Sequence, residues 1–428
     1  MQGETSPSLV RPIGNNVPVL TTNVTRKNTI EIVVVGLIFL VLSLNVVLGT
    51  LSAVAFLGLV GLLSVLNRFQ LHKVILDSWF IFLLPAFCIL STLWSGYPTT
   101  TIYFAIQFLI TIYAAVLIVH MVRFDHLVLG AFIGLAVYVL IAVPLGRFVP
   151  VGADGEIAFA GLAGSKNQSA DITLLAILFI LTAILTAKGK QRVPTWIFGL
   201  LALAAGLFSL ALSKATSAII FAIISVPMLI VLMVFARTKP AVRGISVLTV
   251  AFFALLLSLT APFWLNEALT TALSLVQKDV TLTGRTILWE SAGKLISERP
   301  LFGVGYAGFW RIENSDAQFL WDAMDVEQGA PFNFHNTPLD LMVNVGIVGM
   351  LLFFLPLIYC ILKNIGNFIY RPNHLVILSL SVLVSTLPRA GLEVIGAAPL
   401  NVNTLVFFMA LAYGPILAAK VSPSTRSI

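Results

Sequence analysis

The sequence predicts an all-α polytopic membrane protein with about twelve transmembrane helices. Of its 428 residues, 59% are hydrophobic and only 10% are charged, against about 25% charged in a soluble domain. Apolar runs of about 20 residues, enough helix to cross a hydrocarbon core of roughly 30 Å, recur along the chain. Basic residues collect in alternate connections between those runs, the asymmetry that orients membrane proteins.

The runs fall at about 30–48, 50–66, 75–94, 99–121, 126–145, 169–187, 194–211, 214–236, 243–262, 338–362, 373–388 and 400–419. The first two are short and tightly joined. With the N-terminus in the cytoplasm, every short inner connection carries a basic residue, among them Arg68, Arg123, Lys190, Lys239 and Arg371. The outer turns around Gly49 and Ser95 carry none. Residues 1–28 then read as a cytoplasmic tail rather than a signal peptide, because no apolar segment follows a basic start. Residues 29–420 form the transmembrane domain, and 421–428 a second cytoplasmic tail. The net charge of +7 is explained by topology before any acidic partner, and no nucleic-acid binding is expected.

Two outward connections are long. One spans about 146–169, between the fifth and sixth helices; the larger spans about 261–337, between the ninth and tenth. Loops of this length in a compact protein are functional or disordered. The larger one holds Trp264, Trp289, Trp310 and Trp321, and the helical-looking stretch "TGRTILWESAGKLISERP". Thr283 or Gly284 would start that helix, and Ile287, Leu288, Ala292, Leu295 and Ile296 would be its apolar stripe. Pro300 would stop it. "LFGVGYAGFW" follows as a Gly-rich loop presenting aromatics. Cys88 and Cys360 lie in apolar runs and read as small core hydrophobes. With no CxxC, HExxH, DxD, Walker loop or GxGxxG after a strand, neither a metal nor a cofactor is expected.

Of the five histidines only His335 falls outside; His72, His126 and His374 sit at cytoplasmic helix ends and His120 near one. In "HNTPLD", Thr337 fits an N-cap, Pro338 the first helical position, and Asp340 a side chain reaching back. The positive end of that helix favours a neutral imidazole, ordinary pKa about 6.5, the form a general base requires. The blander alternative is a helix-flanking histidine bonded to a carbonyl.

Four outer cations are candidates for an anion site. Lys214 ends an apolar helix, Arg285 opens the loop helix, Arg389 sits in "LPRAGLE", and Lys166 in "GSKNQS". Charge near a membrane is costly and marks a site or a partner. Arg285 also opposes the helix dipole unless it helps hold an anion. The alternative for each is pairing with Glu290, Glu393 or a phospholipid headgroup. One external base with several cations beside a membrane would suit a lipid-linked diphosphate, with guanidinium and ammonium groups neutralising the leaving group. The loop aromatics would stack on sugars or anchor at the interface.

"TGRTILWESAGKLISERPLFGVGYAGFW", followed by "HNTPLDLMVNVGIVGM", resembles the signature of the O-antigen ligase and Wzy-type polymerase superfamily. "LWSGYP", "GSKNQSA" and "LALSKATSA" are similar to it as well. Within the superfamily the resemblance is closest to ExoQ-like exopolysaccharide polymerases. It implies an inner-membrane glycosyltransferase with a GT-C-like helical fold, a polyprenyl-diphosphate-linked glycan as donor, and no metal. His335 matches the proposed base of the family, and Arg285 a loop arginine proposed to bind diphosphate. Lys214 falls where many members carry arginine after serine, which keeps the charge and loses the bidentate fork. Lys166 and Asn167 match a "KN" element; with Asn336, beside the base, they are weaker substrate-binding candidates. Arg389 joins the diphosphate set on topology alone.

The expected reaction is polymerisation. A glycan on undecaprenyl diphosphate is transferred to a hydroxyl of another lipid-linked repeat, and a flippase and a chain-length regulator are the proteins such a system would work beside. A ligase acting on a terminal acceptor is the rival within the class. A twelve-helix secondary transporter is the rival outside it, predicting midplane charges and two similar halves. The short middle connection "AKGKQRVPT" and the off-centre large loop weigh against that. A scaffold for an assembly complex is a further alternative.

Overall fold

The computed structural model describes residues 19–67, 71–151, 156–275 and 285–421. The expected helix start at Thr283 or Gly284, and the tail residues 1–18 and 422–428, lie outside them. In chain order the helices are α1 (Val19–Ser43), α2 (Asn45–Leu48), α3 (Thr50–Leu66), α4 (Leu71–Asp77), α5 (Leu83–Leu90), α6 (Pro98–Met121) and α7 (Phe124–Leu145). A hairpin follows, β1 (Arg147–Val151) and β2 (Glu156–Gly161). Then come α8 (Lys166–Thr186), α9 (Arg192–Leu212), α10 (Thr216–Phe235), α11 (Pro240–Leu275), α12 (Arg285–Glu298), α13 (Ser315–Ala323), α14 (Thr337–Tyr370), α15 (His374–Thr386) and α16 (Val402–Val421).

Eight helical segments among the described residues are long and apolar enough to cross a membrane: 98–121, 124–145, 166–186, 189–212, 216–235, 240–260, 337–370 and 374–391. Four shorter apolar helices, Asn28–Ser43, Thr50–Leu66, Trp79–Leu93 and Val402–Leu417, occupy the other four expected positions. The expected continuous helix at 75–94 is instead broken: α4 ends at Asp77, and two 3₁₀ turns flank α5. The 146–169 connection contains the β-hairpin, and α11 runs on to Leu275, past its expected end.

Close helix packing here depends on small residues, because apolar side chains gain little by leaving lipid for protein. α1 and α7 cross at Gly36, Gly130 and Gly134; a Cβ on Gly134 would stand 2.2 Å from the Gly36 carbonyl oxygen. Amides tie α14 to α16. Asn364 donates to the Ala410 carbonyl at 3.0 Å and Asn367 to that of Gly414 at 2.8 Å.

α14 is broken near its start. Gly346 has φ 64° and ψ −170°, so the ladder opens and the loop after α12 plugs the gap. Ile347 N–H donates to the Pro300 carbonyl at 2.9 Å, Val304 N–H to that of Val343 at 2.9 Å, and Gly305 N–H to that of Asn344 at 2.9 Å. The backbone groups freed by the break are thereby satisfied within the protein, as apolar surroundings require. A Cβ at Gly346 would lie 2.3 Å from the Leu301 carbonyl.

α12 and α13 sit over this end of the bundle on a small core of their own. Leu288, Ala292, Phe309, Leu320, Trp321 and Phe334 are buried together. The α12 stripe is therefore partly as expected; Ile287 is 41% exposed and lies off it. "LFGVGYAGFW" does not simply present aromatics, because Tyr306 and Phe309 are buried. Trp321 is buried too and unavailable for stacking on a sugar. Tryptophans instead brace the segment before α14: Trp289 Nε1–H donates to the Phe334 carbonyl at 3.0 Å and Trp321 Nε1–H to that of Ala330 at 3.1 Å.

Candidate functional site

His335 ends the braced segment in the left-handed region, with φ 48°, a conformation that non-glycine residues adopt at a cost and that concentrates at functional sites. Its N–H donates to Asn333 Oδ1 at 2.8 Å, a local turn that holds the strained residue. The helix cap is Asn336, whose Oδ1 accepts from Leu339 N–H at 3.0 Å. This corrects Thr337 as N-cap. Thr337 is buried, and its hydroxyl donates to the Glu393 carbonyl at 2.9 Å and accepts from Ile395 N–H at 2.8 Å. Asn336 Nδ2–H also donates to the Gly391 carbonyl at 3.0 Å. Asn336 and Thr337 thus fasten the start of α14 to the segment 391–395. Asp340 does reach back: its Oδ1 accepts from Phe334 N–H at 3.4 Å, and its Oδ2 from Asn344 Nδ2–H at 3.2 Å.

That fastening brings Glu393 to His335. His335 Nδ1 lies 3.1 Å from Glu393 Oε2, so the imidazole is bonded to a carboxylate rather than to the carbonyl of the blander alternative. Glu393 Oε1 accepts from Arg285 Nη2–H and from Asn167 Nδ2–H, each at 2.9 Å. Three of the expected residues, from α8, α12 and the pre-α14 segment, therefore meet on a carboxylate weighed only as a pairing partner for a cation. Burial pushes the Glu393 carboxyl up; the hydrogen bond with His335 and the charges of His335, Arg285 and Arg389 outweigh it, and the net shift is downward. Glu393 is held as a carboxylate. In the tautomer that carries its proton on Nδ1, His335 donates to that carboxylate and presents the Nε2 lone pair. Nε2 has no hydrogen-bond partner among the described residues.

His335, Glu393, Asn167 and Arg389 line a cavity of about 1000 Å³. Arg389, in the 3₁₀ turn after α15, is buried and paired through Nη2 with Asp171 Oδ1 of α8, another wall residue. The wall has an unusual polar character. Ten buried side-chain polar atoms lack a hydrogen-bond partner among the described residues, and six of them belong to residues that line this cavity: Asn45 Oδ1, Trp310 Nε1, Arg311 Nε, Asn344 Oδ1, Arg389 Nε and Asn403 Oδ1. Native proteins leave few such atoms unpaired. The residues that carry them give the cavity a polar wall, of the kind that orients a polar ligand.

The other expected residues sit further out. Arg285 touches Glu393 from behind and is not among the lining residues; nor are Asn336 and Lys166, the half-buried first residue of α8. Lys214 is placed elsewhere. It has φ 49°, pairs with Glu156 of β2 at 3.6 Å with both side chains about half exposed, and does not line the cavity. Sequence reasoning missed Asp171 and the role of Glu393. An acid inside an otherwise apolar helix was the available signal for Asp171, and Glu393 stood four residues from Arg389 in "LPRAGLE".

Fold and site together define a multi-pass helical membrane protein with a polar cavity that presents an imidazole–carboxylate pair beside guanidinium groups. Residues 201–354 match the family model described as O-Antigen ligase. Over 366 residues, 84% of this chain and 82% of the relative, the sequence is 26% identical to the "Exopolysaccharide production protein ExoQ" of Rhizobium meliloti (strain 1021). Both comparisons bear out the resemblance read from the motifs. The family match contains Lys214, Arg285 and His335 and ends before Arg389 and Glu393.

Proposed function

We propose that this protein is a polysaccharide polymerase that joins undecaprenyl-diphosphate-linked repeats on the external face of the inner membrane, with both termini in the cytoplasm. The His335–Glu393 pair on the wall of a polar cavity carries the reading. His335 Nε2 takes the proton of an acceptor hydroxyl. That oxygen bonds to the anomeric carbon of the donor as the bond from that carbon to the diphosphate breaks, and undecaprenyl diphosphate leaves with the electron pair. Glu393 fixes the tautomer of His335 and stabilises the imidazolium that forms, the role of the carboxylate in a catalytic triad. A guanidinium has five N–H donors, so Arg389, on the cavity wall, keeps donors for the diphosphate while it holds Asp171, and Arg285 holds Glu393 from behind the wall. The bundle of residues 29–420 carries the site, and Asn167, with Lys166 and Asn336 behind it, frames the glycan.

The O-antigen ligase description of the matching family favours a second reading, transfer to a terminal acceptor. Deletion separates the two: loss of a polymerase leaves single lipid-linked repeats, whereas loss of a ligase leaves lipid-linked polymer. The test of the site is glycan size in a deletion strain complemented with wild type, His335→Ala or Arg285→Ala at matched membrane levels. Single repeats in both variants support the reading. Full-length polymer from His335→Ala removes the base.

A further inference from the structure

Arg147 and Arg311 line the same cavity, and no role above uses them. The other guanidinium on its wall, Arg389, is matched by Asp171, and Arg285 behind the wall by Glu393. Asp340, the third carboxylate of the wall, is occupied by Phe334 N–H and the Asn344 amide. Arg147 has no carboxylate partner among the described residues; its Nη2–H donates to the Ala163 carbonyl at 3.3 Å. Arg311 reaches a carboxylate only in its near neighbour Glu313, at 3.8 Å from Nε, and that Nε is one of the orphaned buried atoms. The Tyr97 ring lies 6.0 Å from its guanidinium carbon, a weak cation–π contact.

Local structure holds both side chains at the cavity. The strand register slips between Arg147 and Phe148, the kind of irregularity that re-aims a side chain near a site. Arg311 follows Phe309 and Trp310, which pack with Phe334 just before His335. The cavity also stands at the upper end of the range for one small ligand.

We infer that Arg147 and Arg311 form a second anion subsite, one that takes the diphosphate of the lipid-linked acceptor while the donor diphosphate lies by Arg389. This rests on the polymerase reading, in which both substrates carry a diphosphate. Guanidinium groups suit phosphate because their planar donors pair two oxygens at once.

Two arms test it on the full-length protein in nanodiscs. The binding arm titrates inorganic pyrophosphate and needs no polymerase activity. Wild type is expected to bind a second equivalent that the Arg147→Gln/Arg311→Gln double variant loses, with the melting temperature unchanged. The Arg→Lys double variant is expected to retain that equivalent at lower affinity. Equal stoichiometry in wild type and the Gln variant overturns the subsite. So does displacement of the second equivalent by phosphatidylglycerol in the nanodisc, which would assign the pair to a lipid headgroup. The activity arm offers one donor and two acceptors, a lipid-linked repeat and the same oligosaccharide without its carrier. Wild type should prefer the carrier-linked acceptor by about tenfold or more, worth about 1.4 kcal/mol, and the Gln variants should lose that preference. Variants that keep the preference overturn the acceptor assignment. A wild type that elongates neither acceptor overturns the polymerase reading instead, and the binding arm then still decides whether the subsite exists.

Discussion

His335 Nδ1 and Glu393 Oε2 stand 3.1 Å apart across 58 residues of sequence. Thr337, which bonds to both the Glu393 carbonyl and Ile395 N–H, holds that distance. A base bonded in this way keeps one tautomer and one orientation. The pair is therefore expected to fail as a unit.

Glu393→Gln keeps the size of the side chain and removes the charge that fixes His335. Polymer formation should fall by ~10²–10⁴, similar to the loss for His335→Ala and within the span expected for general-base catalysis. The double variant should be no worse than either single, because residues acting together are non-additive. Rate measurements on the three purified variants check this, and multiplicative losses would show that the two act separately.

Glu393 also links folding to pH. Its folded-state pKa lies below the ordinary 4.5. The group contributes stability above that ordinary value, and the contribution is lost as pH falls through the lower folded value. Melting temperatures recorded between neutral pH and pH 3 should drop below about pH 4.5. The Glu393→Gln variant should melt lower at neutral pH and show a shallower fall in that acid window.

The break in α14 gives a stability prediction. Gly346→Ala adds a Cβ 2.3 Å from the Leu301 carbonyl at a φ of 64°. The left-handed conformation alone costs an alanine about 1–2 kcal/mol, and the backbone contact adds to it. The variant should unfold at markedly lower temperature or fail to accumulate. Gly366→Ala on the same helix meets nothing within 4 Å and should be neutral or stabilising by up to ~1 kcal/mol.

Much of the fold was legible because membrane helices announce themselves by length and hydropathy. The apolar runs, the α12 helix stopped before Pro300 and the place of His335 just ahead of α14 were all readable. The break at Gly346 was not, because a glycine in an apolar helix looks the same whether it serves packing or a bend; the loop that fills the gap begins 46 residues earlier, at Pro300. The site was half legible. Cations stand out in a greasy sequence, so Arg285 and Arg389 drew attention, but their carboxylates come from α8 and from the segment after α15. Those pairings are set by tertiary contacts that no local spacing encodes. Lys214 is the converse case: a position suited to a motif, placed by the fold against Glu156 and off the cavity wall.

Lys214 gives the contrast for Arg285. Its ion pair with Glu156 is half exposed, and such pairs contribute about 0–1 kcal/mol. Lys214→Gln should make polymer of wild-type length with a melting temperature within a degree or two of wild type. Arg285→Gln leaves Glu393 buried with one partner fewer, which should cost about 1–3 kcal/mol along with activity. Loss of polymer in Lys214→Gln would return that lysine to the site.

The Arg389–Asp171 pair gives the last prediction. Arg389 is 2% exposed and Asp171 16%, so removing one partner leaves a buried charge without its counterion. Arg389→Gln and Asp171→Asn should each destabilise by about 3–5 kcal/mol. The double variant strands neither charge and should be more stable than the two losses summed, with a coupling of about 1–3 kcal/mol. Unfolding of the four proteins in one detergent measures the cycle. Activity should remain low in the double variant even where stability recovers, because the Arg389 guanidinium, with its unpaired Nε, is gone from the cavity wall. A double variant that regains both stability and polymer would reduce Arg389 to a structural ion pair.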